Sequence, residues 1–101
     1  MIVHIVLFAW KPDTNEEKVK EIISGIRLLE PQVPGVLRIY YGENFSRWND
    51  GFTHAVVVVA KSRKAIEAYR NHPDHLKLVA EIDSIESKSI GFDFETQDNG
   101  R

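Results

Sequence analysis

Nine consecutive residues, Ile2 to Trp10 (IVHIVLFAW), constrain the fold more than any other feature of this chain. They are rich in β-branched and aromatic side chains and end at Lys11-Pro12, the signature of a strand. Period two sorts them into His4, Val6, Phe8 and Trp10 on one face and Val3, Ile5, Leu7 and Ala9 on the other. Because both faces are apolar, both must be covered, and a sheet built around this strand needs a layer above it and a layer below. The run is too short to span a bilayer, and it has neither a basic leading region nor a small-residue cleavage site, so it reads as neither a membrane span nor a leader.

The remaining pattern fixes an order. Thr14 and Glu17 form a capping box, and Val19, Ile22, Ile23, Ile26 and Leu29 follow at helical spacing, predicting a first helix that stops before Pro31. Pro34-Gly35 turns the chain into a second strand, Val36 to Tyr41. Gly42 to Gly51 reads as a long hairpin loop ending in an Asp-Gly turn signal, and Phe52 to Ala60 as the third strand. Ser62 is placed to cap a second helix that runs to about Asn71, and Pro73 opens a further helical piece to about Ile82 with His72 as its cap. Lys88 to Phe94 alternates as a fourth strand. Residues 1–95 are thus expected to form one domain, with Thr96 to Arg101 as a polar, mobile tail.

Strand, helix, strand, strand, helix, strand is the α+β, ferredoxin-like βαββαβ arrangement: a four-stranded antiparallel sheet with its helices on one face. The third strand places His54, Val56, Val58 and Ala60 on one side and Ala55, Val57 and Val59 on the other. Helices can cover only one face, leaving Val3, Ile5, Leu7, Val57 and Val59 as an apolar patch larger than water tolerates. A second copy of the chain is the economical cover, its sheet closing against the first in a dimeric α/β barrel. The expected partner is therefore the chain itself.

Composition narrows the functional classes. At 101 residues, with 43% hydrophobic and 28% charged side chains, the chain supports one core and is far from a disordered composition. A net charge of −2 gives no electrostatic reason to expect nucleic acid or an anionic membrane as partner. The absence of cysteine rules out disulfides, a thiolate nucleophile and cysteine metal sites, and fits a reducing, cytoplasmic setting.

The segment Tyr69-Arg70-Asn71-His72-Pro73-Asp74-His75 holds the candidate chemistry. With Pro73 as first residue of the new helix, His75 falls at its third position, where the positive end of the helix dipole disfavours imidazolium and leaves a free base. Tyr69 can offer a hydroxyl to a developing oxyanion, so the pair suits proton abstraction beside a carbonyl. The alternative is that these residues only cap the broken helix. His4 and His54 lie by parity among aliphatic side chains, either as satisfied core residues or as polar points in a pocket whose candidate lining is Val6, Phe8 and Val56 from the strands and Ile22 and Ile26 from the first helix. His72, Asp74 and His75 have metal-ligating side chains but no recognised ligand spacing, so no metal is expected. Arg47-Trp48 in the long loop is either a lid or a dimer contact.

Four motifs in order carry a resemblance: M-x-x-H-I-V-L-F at residues 1–8, Gly42-Glu43-Asn44, Gly51-Phe52-Thr53-His54-Ala55, and Tyr69-x-x-His72-Pro73-x-His75. Together they resemble the stress-responsive dimeric α/β-barrel family over nearly the whole chain. That resemblance implies a ferredoxin-like subunit and a face-to-face dimer. Through a plant branch of polyketide cyclases it also implies an acid/base pair at Tyr69 and His75, with His4 lining a substrate pocket and no cofactor. It equally admits a non-catalytic, stress-associated assembly or binding protein, and related ferredoxin-like dimers include cofactor-free monooxygenases. A filled space beside His75 would favour assembly. A solvent-connected cavity reaching His4, Tyr69 and His75 would favour binding or catalysis of a small molecule.

Overall fold

In the computed structural model, which describes residues 1–97, the doubly apolar segment Ile2–Trp10 forms β1 and is paired along both edges. It runs antiparallel to β3 (His54–Ala60) and to β4 (Glu86–Glu95), while β2 (Val36–Glu43) lies on the far side of β3, giving the order β2-β3-β1-β4. Among the described residues, three α-helices and one turn of 3-10 helix complete the element order: α1 (Glu16–Arg27) and the 3-10 turn (Glu30–Gln32) between β1 and β2, and α2 (Arg63–Asn71) and α3 (Pro73–Ile85) between β3 and β4. This is the ferredoxin-like arrangement expected from the pattern, with the second helical element broken in two at Pro73.

The core lies between sheet and helices. Val19, Ile22, Ile23 and Ile26 of α1, Ala65, Ile66 and Tyr69 of α2 and Ile82 of α3 are buried against Phe8, Ile39, Val56 and Val58 of the sheet. These helix residues recur at three- and four-residue spacing, so each helix turns one apolar stripe inward. Gly35 carries the chain from α1 into β2 at φ +91°, and a side chain there would place its Cβ only 2.7 Å from that of Ala65. Glycine meets both demands: it tolerates the left-handed backbone and leaves room for α2.

Several boundaries differ from the sequence expectation, each for a local reason. The cap of α1 is Asn15, whose side chain accepts from the Glu17 amide at 2.8 Å; this takes the donor that a Thr14–Glu17 capping box requires, so the box does not form, and the Thr14 hydroxyl donates to the Lys11 carbonyl at 2.6 Å. β2 extends to Glu43 and β3 begins at His54, because pairing continues to Glu43↔His54 before the hairpin opens. α3 runs to Ile85, one turn beyond Ile82, and β4 follows directly. At the end of β4 the Thr96 amide donates to the Met1 carbonyl at 2.8 Å, tying down the start of the segment expected to be a mobile tail; residues 98–101 of that segment lie outside the described residues.

Among the described residues no helix lies on the opposite face of the sheet. Register places Val3, Ile5 and Leu7 beside Val59, Val57 and Ala55 on one flank and beside Phe94, Phe92 and Ile90 on the other. The outer strands are the most open, with Phe92 64% and Ile90 53% exposed, and Tyr40 of β2, opposite Val57, 55% exposed. Among the described residues no helix is long and apolar enough to cross a membrane.

Candidate functional site

The break between α2 and α3 builds one wall of the site. His72 is extended, ends α2 and caps α3, its Nδ1 accepting from the Asp74 amide at 3.1 Å. Pro73 then sits at the first helical position, where its missing N–H costs nothing. This turn brings His75, in the first turn of α3, back against Tyr69, in the last turn of α2; their ring centroids are 4.4 Å apart. His4 approaches the same tyrosine from the central strand, centroid to centroid 6.0 Å in an edge-on arrangement.

These three rings open onto one cavity of about 340 Å³, within the range of small-molecule sites. Val6 and Phe8 of β1, Val56 of β3, Ile26 of α1 and Leu76, Val79 and Ile82 of α3 give it an apolar lining. Arg70, Asp83, Glu86 and Ser89 stand as its further polar groups.

Hydrogen bonding fixes where the protons sit. The His75 Nδ1–H donates to the Arg70 carbonyl at 3.0 Å, which leaves Nε2 as the unprotonated nitrogen of the neutral ring. His4 likewise directs Nδ1 to the Asp93 carboxylate, which also receives the Arg70 guanidinium. Among the described residues nothing bonds His4 Nε2, His75 Nε2 or the Tyr69 hydroxyl, yet no buried side-chain nitrogen or oxygen is left without a partner. For residues as enclosed as Tyr69, 2% exposed, and His4, 8% exposed, those atoms therefore reach solvent through the cavity.

The electrostatics suit acid/base work. Burial lowers the pKa of His75 below the ordinary histidine value, and the nearby positive charge of Arg70 adds to the effect, while the Arg70 carbonyl opposes it. Burial pushes the Tyr69 phenol up to about 12, so it remains a neutral hydroxyl and a donor. Burial also works against the charge on Asp93, but hydrogen bonds from His4 and Arg70 outweigh it and hold the carboxyl below its usual range.

Of the residues singled out from sequence, His4, Val6, Phe8, Ile26, Val56, Tyr69 and His75 share this cavity; Ile22 and His54 do not. Ile22, one turn before Ile26, is sealed in the core. His54 lies on the expected face but pairs with Phe8 at the end of β1, where its Nδ1 accepts from the Trp10 indole at 3.0 Å. Trp10 stacks on Phe8 with centroids 5.1 Å apart, and His54 lines separate hollows near β2 and α1. Arg47 stacks on Trp48 at 4.4 Å, and neither residue lines the cavity. Sequence reasoning missed Asp93 and the side-chain role of Arg70. The signal for Asp93 was available: it is an acid inside an alternating strand, on the face opposite Phe92 and Phe94. Among the described residues no group of three or more histidine or carboxylate side chains is placed to hold a metal ion.

Comparison with known proteins agrees with this architecture. The family model described as Stress responsive A/B Barrel Domain matches residues 2–96. A stress-response A/B barrel domain-containing protein of Arabidopsis thaliana is 30% identical over 94 residues, covering 90% of this chain and 82% of that protein. Olivetolic acid cyclase of Cannabis sativa is 26% identical over 93 residues, covering 90% of this chain and 92% of the cyclase. Among solved structures, a dimeric ferredoxin-like protein of unknown function from Thermobifida fusca superposes with a TM-score of 0.82 at 24% identity, covering 94% of this chain and 90% of that one.

Proposed function

The chain belongs to the stress-responsive A/B barrel domain family, and from that premise we propose that it is a homodimer whose subunits each bind a small carbonyl compound between sheet and helices and act on it by acid/base chemistry. The observation that carries this reading is the convergence of three unpartnered polar atoms, His4 Nε2, His75 Nε2 and the Tyr69 hydroxyl, on one apolar cavity. Solvent reaches them through the cavity, so they are free to meet the polar groups of a ligand, the few convergent polar points that an apolar small-molecule pocket needs. The similarity to a cyclase supports carbonyl chemistry, and the bare apolar sheet face supports the dimer.

In this reading His75 Nε2 removes a proton from the carbon next to a carbonyl and becomes imidazolium, its charge eased by the Arg70 carbonyl at Nδ1–H. The electron pair moves onto the carbonyl oxygen, where the Tyr69 hydroxyl donates to the enolate. The enolate carbon attacks a second carbonyl of the same molecule, and the resulting alkoxide takes up the proton that His75 holds. No step requires an electron acceptor.

Proton abstraction can be tested without knowing the natural substrate. Poly-β-ketones and methyl ketones incubated with the protein in deuterated buffer should exchange their acidic C–H protons faster than in buffer alone, as followed by proton NMR. His75→Ala should bring exchange back to the buffer rate. Exchange no faster than buffer across the panel, or equally fast with His75→Ala, would remove the base and leave the cavity as a binding site.

A further inference from the structure

Two histidines in one cavity both carry their proton on Nδ1, and both owe it to the same residue. The main-chain carbonyl of Arg70 accepts from His75 Nδ1, whereas its guanidinium holds Asp93, which accepts from His4 Nδ1. We propose that Arg70 is the positioning residue of this site: it sets the tautomer of both imidazoles, so that His4 Nε2 and His75 Nε2 face the cavity on either side of Tyr69 as a pair of proton acceptors.

The two halves of this device differ in what they need from the side chain. The His75 half needs only the backbone of α2, bent by the break at Pro73. The His4 half needs the guanidinium. Asp93 stands on the edge strand β4, directly across from His4, with its side chain 42% exposed. An exposed carboxylate has water as an alternative partner, and only a second fixed contact holds one oxygen toward His4. Arg70 supplies that contact with one arm while its other arm is held by Glu67 at 3.2 Å. The forked guanidinium is suited to bridging two carboxylates, which a lysine ammonium does less well. The outcome for His4 is an imidazole backed by a carboxylate, so that a proton gained at Nε2 is neutralised from behind. His75, backed by a neutral carbonyl, has no such countercharge. On the reading given above, His4 is thereby placed to act as second acceptor for a substrate with two acidic positions, such as a 1,3-dicarbonyl compound.

The proposal rests on that reading only for the use made of the nitrogens, and its test needs no turnover. Long-range proton–nitrogen correlation spectra of the ¹⁵N-labelled chain report the tautomer of each imidazole. In the native protein His4 and His75 should both appear with Nδ1 protonated, the form that a free histidine side chain disfavours. Arg70→Met should shift His4 to a mixture or to the Nε2–H form and leave His75 unchanged, the latter doubling as a check that α2 and α3 remain folded. Arg70→Lys should restore His4 in part, and Asp93→Leu should release it fully. If a carbonyl substrate is found, Arg70→Met should lower kcat about 10- to 100-fold with little change in KM, the usual effect of losing a supporting hydrogen bond. A native His4 with its proton on Nε2, or a His4 tautomer indifferent to Arg70→Met, would overturn the proposal whether or not the protein turns over a ketone.

Discussion

At the scale of single residues, the site depends on His75 being an unprotonated base under conditions where an exposed histidine is partly charged. Burial lowers its pKa, so the acid limb of any kcat profile should fall below the ordinary histidine range. His75→Ala should cost roughly two to four orders of magnitude in turnover, the usual worth of a general base. Tyr69→Phe should lower turnover while leaving stability nearly unchanged, because the lost hydroxyl has no protein partner. The same burial has a stability consequence. Since the folded pKa lies below the unfolded one, the unfolded chain binds the extra proton first as pH falls, so stability is complete above the unfolded value and is lost as pH drops through the folded one. Urea midpoints measured across that interval should decline more steeply for the native protein than for His75→Asn; parallel curves would show that the imidazole is not desolvated.

Two junctions decide the placement of whole elements. At the α2–α3 break, His72 caps α3 through its own side chain, and His72→Ala should cost on the order of 1 kcal/mol, the typical value of an N-cap. Its effect should appear in the denaturation midpoint, and at equal folded concentration activity should persist. At the entry to β2, Gly35 holds φ +91° beneath Ala65. Gly35→Ala adds a strained backbone to a steric clash and should destabilise by at least about 1–3 kcal/mol. Thermal denaturation gives the comparison, and an unaltered Tm would mean that the turn adapts freely.

For the molecule as a whole, the bare face of the sheet is the decisive feature. Ile5, Leu7, Val57 and Val59 are backed by the strongly exposed Ile90 and Phe92 of β4. A patch of this kind is unusual on a monomer, and a twofold partner would bury it on both copies. The proposed dimer should therefore be seen by light scattering at micromolar concentration, and Leu7→Lys combined with Val57→Lys should abolish it along with much of the stability. A native chain that scatters as a stable monomer would show that the face is tolerated without cover.

Much of this architecture was legible in the sequence because periodicity records which face of an element is dry. Parity alone sorted His4, Val6 and Phe8 onto one face of β1 and Val56 onto one face of β3, and Pro73 alone announced a break between Tyr69 and His75. What periodicity does not record is position along an element or register between elements. His54 has the same parity as Val56, yet it lies one pleat further along and is engaged by Trp10; Ile22 shares a stripe with Ile26, yet only Ile26 reaches the cavity. The Thr14 capping box did not form because Asn15, one position on, takes the cap and accepts the Glu17 amide proton that the box would have given to Thr14. The contact between Asp93 and His4 spans 89 positions and exists because β4 pairs with β1 in one register. A shift by one residue would turn Asp93 to the opposite face. Local sequence chose the elements and their dry faces; only the tertiary pairing of strands decided which polar groups would meet.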